Sequence, residues 1–114
     1  MENFSQYFVL AAIAALFIWR WVKSVRVKKQ LPALLSAGAI IVDVRSREEF
    51  AQGHANGSIN VPLQSLEEHS KQFDKSKPII LCCASGARSG MAASILKKNG
   101  FAQTINGGSW SNLR

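Results

Sequence analysis

Pro78-Ile79-Ile80-Leu81-Cys82-Cys83-Ala84-Ser85-Gly86-Ala87-Arg88-Ser89 is the stretch on which the fold turns. Ile79 to Cys83 is apolar throughout and bounded by Pro78, the pattern of a strand buried on both faces. Ala84 to Arg88 contains a glycine and forms a loop. Ser89 to Lys98 reads as a helix with Met91, Ala92 and Ile95 on one side, and Asn99-Gly100 is its stop signal. Strand, tight loop and helix in that order are one half of a βαβ unit, so the neighbouring strands are expected to run parallel.

The flanking sequence repeats the alternation. Leu31, Leu34 and Leu35 recur at helical spacing, with Pro32 in the first turn and Gly38 as terminator. Ile40 to Val44 is a β-branched strand. Ser46, with Glu49 three residues on, is a capping-box pattern that opens a short helix closed by Gly53. Ser58 to Val61 is a second strand, stopped by Pro62, and Leu63 to Phe73 reads as a polar-faced helix. Ala102 to Ile105 is a last strand, followed by a Gly107-Gly108 turn and a terminal segment with Trp110. The prediction is an α/β domain over residues 30–114: a parallel sheet with helices on both faces. Sites in such sheets lie beyond the carboxyl ends of the strands, where Asp43 and Cys83 fall.

Cys83 has a chemical role available to it there. A loop between strand and helix can turn successive N–H groups inward as an anion nest, with the helix N-terminus behind it. Gly86 supplies the positive φ that such a ring needs. A thiol in that field, with Arg88 beside it, shifts toward thiolate, the reactive form. Cys82 points to the opposite face of the strand and reads as core packing. Two adjacent cysteines cannot staple a fold, so this is not a disulfide scaffold. No residues have metal-ligand spacing, no dinucleotide fingerprint is present, and no cofactor is expected. His54 reads as a structural hydrogen-bonding residue, His69 as solvated and Trp110 as a core plug.

The N-terminal 29 residues differ in kind. Phe4 to Val22 as a helix would extend about 28 Å, close to a bilayer's hydrocarbon core of about 30 Å. Tyr7 at one end, and Trp19 with Trp21 at the other, resemble an aromatic belt. Arg20, Lys23, Arg26, Lys28 and Lys29 follow against Glu2 alone, whereas residues 30–114 carry nine Lys/Arg and six Asp/Glu; the chain's formal charge is +7. This basic excess next to an apolar run suits an anionic lipid surface rather than nucleic acid. A cleaved signal peptide would want a positive n-region and a small-residue cleavage site. A buried core helix is the other alternative. Residues 1–29 are read as one transmembrane helix with a basic juxtamembrane segment. By the positive-inside rule its N-terminus lies outside and the domain is cytoplasmic, at an inner or plasma membrane.

Two groups of residues resemble the rhodanese homology domain. The first is Ile41-Val42-Asp43-Val44-Arg45, Glu49-Phe50, Gly53-His54, Gly57 and Asn60-Val61-Pro62. The second is the Cys83–Ser89 loop, with Asn106-Gly107-Gly108 and Trp110 similar to the family's end pattern. The resemblance covers roughly residues 30–112, and an anchor ahead of one such domain resembles a single-pass subtype. It implies a sulfurtransferase in which Cys83 accepts sulfur from thiosulfate or a persulfide and passes it to cyanide or a thiol, including a protein thiol. It further implies that Ala84, Ser85, Gly86, Ala87 and Arg88 hold the anionic donor. Asp43 and Ser89 support the loop, and Arg45 with Glu49 forms a structural ion pair. Cys83 to Arg88 is six residues, the sulfurtransferase length, against seven in the related phosphatases. Two departures stand out. Only Val25 and Val27 could supply the family's first strand, and Ala84 and Ala87 leave Arg88 as the loop's only cation. The competing readings are a membrane-tethered adaptor that uses the fold without catalysis, and a redox-sensing thiol.

Overall fold

The computed structural model describes residues 4–114; Glu2, which entered the charge count of the N-terminal segment, lies outside them. A long helix, α1 (Phe4–Ser36), leads into β1 (Ile40–Asp43), α2 (Arg47–Gln52) and β2 (Ile59–Asn60). Then come α3 (Leu66–His69), β3 (Ile79–Cys83), α4 (Ala87–Lys98), β4 (Thr104–Ser109) and a closing 3₁₀ turn, Trp110–Leu113. The four strands are all parallel, in the order β2-β1-β3-β4, with Ile40 opposite Ile79 and Val42 opposite both Leu81 and Ile59. β3 is central and every one of its residues is buried, which is why it reads as an unbroken apolar run.

Strand alternation sorts the core into two layers. Val42, Val44, Leu81 and Cys83 face Leu66, Ala92, Leu96 and Phe101 on the α3/α4 side. Ile41, Ile80 and Cys82 face Val27, Leu31, Leu34 and Leu113 on the α1 side. Helices therefore cover both faces, as expected. On α4 the buried positions are Ser89, Ala92 and Leu96, a stripe at i, i+3 and i+7, while Met91 is exposed.

Three elements differ from their sequence expectation. The membrane-like segment and the Leu31–Leu35 helix are one helix, and Pro32 sits inside it rather than opening a new one. Pro32 removes the donor to the carbonyl of Lys28, but both residues face solvent, where water can take that carbonyl. Val25 and Val27 are accordingly helical, and the sheet begins at β1. The expected Leu63–Phe73 helix is broken into a 3₁₀ turn, the single α-turn α3 and a second 3₁₀ turn, with Leu66 and Ser70 buried and Leu63 and Phe73 packed against the core. Finally, β4 runs on to Ser109 through a bulge at which the register steps from Leu81–Asn106 to Cys82–Gly108. Gly107 is required there, since a Cβ would lie 3.0 Å from the Leu81 carbonyl oxygen.

Among the described residues one helix, α1, is long and apolar enough to cross a membrane; it lies near the N-terminus, and its apolar window is unburied. Phe8, Phe17 and Trp21 are among its exposed residues.

Candidate active site

β3 ends at Cys83, and the chain turns at once through Ala84–Gly86 into α4. Gly86 has φ of 103°, the left-handed conformation expected of it, and its N–H donates to Cys83 Sγ at 2.9 Å. Burial pushes the Cys83 thiol up. The Ser89 hydroxyl and the N–H groups of Ser89, Gly86 and Ser85 outweigh burial and bring it below the ordinary thiol value. The sulfur is thus a buried atom whose proton is held less firmly than an ordinary thiol's.

Ser89, fully buried on the first turn of α4, sits 3.4 Å from Sγ and donates to Asn106 Oδ1 at 2.6 Å. Ser89 has a single hydroxyl proton. While Asn106 holds it, the thiol S–H is the donor across the gap to Ser89; once Cys83 ionises, sulfur becomes the competing acceptor. Asn106 does more than accept this proton. Its Nδ2 donates to the Gly86 carbonyl at 3.1 Å, and its Oδ1 also accepts from the Gly108 N–H. The β4 bulge therefore delivers one amide side chain that props the loop from below. Sequence reasoning treated Asn106 as part of an end pattern and missed this role; the glycine pair beside it was the available signal.

The expected ion pair of Arg45 with Glu49 does not form. Arg45 instead clamps Asp43, Nε to both carboxylate oxygens at 3.0 Å and Nη2 to Oδ2 at 2.8 Å, and it also donates to the Gly53 carbonyl at 2.7 Å. The reason is alternation at the end of β1: residues 43 and 45 are two apart and lie on one side of the chain. Asp43 is fully buried, and among the described residues its carboxylate bonds only Arg45, so no hydrogen bond of that carboxylate reaches the Cys83 loop. The guanidinium lies 4.9 Å from the centre of the Trp110 ring, and that ring packs where a Cβ on Gly53 would be, at 3.1 Å. Asn60 Nδ2 ties the same corner by donating to the carbonyls of Asp43 and Arg45. Trp110 is a partly exposed plug over this cluster.

Glu49 completes the capping box with Ser46 and binds Arg88 as well, at 2.7 and 2.9 Å. That bidentate pair, chiefly through its hydrogen bonds, holds the Glu49 carboxyl down to about 2 and raises Arg88. The loop's only cation is thus committed to α2, and the pair has no net charge. His54 lies flat on Phe50, with ring centroids 3.8 Å apart, and its Nδ1 is 2.9 Å from the Phe50 carbonyl oxygen, a structural arrangement. Among the described residues no group of three or more His, Cys, Asp or Glu could hold a metal ion.

A parallel β2-β1-β3-β4 sheet with a thiol cradled by loop amides at the end of β3 defines the class. Residues 27–112 match the rhodanese-like domain, and the chain belongs to the rhodanese-like sulfurtransferase family. It is 34% identical over 110 residues to the uncharacterized protein YqhL of Bacillus subtilis strain 168, an alignment covering 93% of this chain and 87% of that protein. It is 37% identical over 82 residues to the thiosulfate sulfurtransferase GlpE of Stutzerimonas stutzeri strain A1501, covering 70% and 75% of the two. Among solved structures, a rhodanese with anions from E. coli superposes with a TM-score of 0.61 at 32% identity, over 65% of this chain and 89% of that one.

Proposed function

We propose that Cys83 is a sulfur-carrying nucleophile, loaded by thiosulfate or a persulfide and unloaded by a thiol or cyanide. The observation that carries this reading is the Sγ atom in its amide cradle, with its pKa lowered despite burial. The Cys83 thiolate attacks the outer sulfur of thiosulfate. An S–S bond to Cys83 forms, the donor's S–S bond breaks, and sulfite leaves with the electron pair. The persulfide anion then occupies the place of the thiolate, and the N–H groups of Ser85, Gly86 and Ser89 stabilise it as they stabilise sulfur. Cyanide, attacking the outer sulfur, leaves as thiocyanate and restores the thiolate; an acceptor thiolate leaves as its own persulfide.

With Arg88 paired to Glu49, the backbone amides of Ala84 to Arg88 are the loop's donors to the anion, while Arg88 ties the loop to α2. Ser89 is taken here as a support of the loop, a reading favoured by its hydrogen bond to Asn106. The proposal extends to α1, taken as a single-pass anchor in contact with membrane lipid, its N-terminus outside and the catalytic domain cytoplasmic, at an inner or plasma membrane. Its length, its exposed apolar surface and the basic residues from Arg20 to Lys29 support that placement.

The test is mass spectrometry of the full chain after brief exposure to thiosulfate, beside Cys83→Ser. The expected result is one added sulfur on Cys83, removed by cyanide and absent from the variant. Folded, reduced protein that takes sulfur from neither thiosulfate nor a low-molecular-weight persulfide would sink the reading.

A further inference from the structure

The helix α1 runs antiparallel to the strands: Ser36 lies four residues before the start of β1, and Val27 is the buried residue on the sheet nearest the N-terminus of the helix. The apolar half of α1 therefore leaves the domain at the carboxyl ends of the strands, the edge that carries the Cys83 loop. Trp21 and Val22, which end the apolar segment, are about 7–9 Å along the helix from Val27. That edge of the domain thus stands at the level where a bilayer's hydrocarbon gives way to its headgroups.

A groove of about 630 Å³ opens at this level, between α1 and the domain. Phe17, Arg20 and Lys23 belong to its helix wall, and Ser85, Ser109 and Asn112 to its domain wall. Cys83 does not line it, because its side chain packs in the α3/α4 layer on the other face of the sheet. An occupant of the groove is accordingly a ligand of the domain and not a sulfur substrate.

The charges fit one kind of occupant. Among the described residues no Asp or Glu lines the groove, while Arg20 and Lys23 stand in it and neither is paired with a carboxylate. Lys23 Nζ is instead placed 4.1 Å from the centre of the Trp19 ring, which holds the cation in position. The domain wall is polar but uncharged, with hydroxyl and amide groups that can donate to the oxygens of an anion. Toward the membrane, Phe17 presents exposed apolar surface. A small free anion makes no use of that surface, whereas an acyl chain does. Cations and neutral donors at headgroup level, with an apolar flank below them, are the complement of a phospholipid that carries net negative charge.

We propose that this groove binds the headgroup of an anionic phospholipid. The phosphate sits between Arg20 and Lys23 on one side and the Ser109 and Asn112 side chains on the other, and the acyl chains run along Phe17 into the bilayer. The inference rests on the reading of α1 as a membrane anchor. A lipid held by both walls bridges helix and domain, and it pins the edge of the sheet that carries the Cys83 loop toward the bilayer surface.

The experiment is native mass spectrometry of the full chain in a nonionic detergent, titrated with phosphatidylglycerol or with phosphatidylcholine of the same acyl chains. One phosphatidylglycerol is expected to stay bound at about a tenfold lower concentration than phosphatidylcholine, and Arg20→Gln/Lys23→Gln, at two exposed positions, should abolish that preference. Asn112→Asp adds a carboxylate to the domain wall and should weaken phosphatidylglycerol binding about fivefold. Gln103→Glu adds the same charge just before β4, at the opposite edge of the sheet, and should change it less than about twofold. Equal retention of the two lipids, a preference that survives in Arg20→Gln/Lys23→Gln, or equal effects of the two added carboxylates overturns the groove and leaves the anchor intact. Displacement of the lipid by millimolar glycerol phosphate also overturns it, since the site would then serve a free phosphate. Recovery of the full chain as a monodisperse protein without detergent or lipid removes the anchor reading and this one with it.

Discussion

Cys82 and Cys83 are consecutive, equally buried and on the same strand, yet they are opposite kinds of thiol. Cys82 points into the α1 layer among Val27, Ile41 and Ile80, where burial first and then the Asp43 charge push it up to about 12. Cys83, one peptide unit on, points to the other layer at the residue where the strand stops, and N–H groups released from the sheet turn toward it. Burial acts the same way on both. What separates them is the end of the strand: inside a ladder every N–H is already committed, whereas a loop opening a helix leaves several free to face sulfur.

The comparison breaks most decisively by exchange of the two side chains. Cys83→Ser should lower sulfur loading on the order of a thousandfold or more, as loss of a nucleophile does, whereas Cys82→Ala should load within about twofold of wild type. Equal losses would mean that the two thiols act together. Iodoacetamide labelling followed by peptide mapping at pH 8 is a finer probe: Cys83 should react at least about a hundredfold faster, since each pKa unit changes the thiolate fraction about tenfold. Ser89→Ala should move the midpoint of Cys83 labelling upward. Asp43→Asn tests the other side. It leaves the buried Arg45 charge without its carboxylate and should cost about 3 kcal/mol in a urea titration. In any molecules that stay folded it should also lower Cys82 from about 12, because one of the charges raising it is gone.

The contrast between the thiols was legible in the sequence because it depends on period-two alternation and a neighbouring glycine. So were the capping box at Ser46 and Glu49 and the parallel sheet, which are local patterns or their direct consequence. The wiring of the charges was less so. Glu49 could be seen as a capping residue, but its second partner, Arg88, is 39 residues away, and only the packing of α2 against the loop brings them together. Arg45 with Asp43 was the pair that spacing allowed, and the four-residue spacing to Glu49 obscured it. The continuity of α1 through Pro32 and the extension of β4 to Ser109 depended on tertiary contacts: the α1 layer holding Leu31 and Leu34, and the close approach of Gly107 to Leu81.

The smallest predicted effect bears on how the Cys83 loop is held. Glu49 and Arg88 are each more than a third exposed, so their bond is screened by water, and Glu49→Gln should cost no more than about 1 kcal/mol at neutral pH. Its pH dependence is the sharper signature. A carboxyl whose folded pKa is about 2 against an ordinary 4.5 contributes its stability in full above the ordinary value and loses it as pH falls toward 2. Wild type should therefore lose stability over that window, and the difference from Glu49→Gln should shrink as the carboxyl protonates. Cys83 labelling should respond in parallel only if the Arg88 tether holds the loop amides on sulfur. A stability change without a labelling change would separate the ion pair from the thiol and leave Ser89, Asn106 and Gly86 as the groups that set its reactivity.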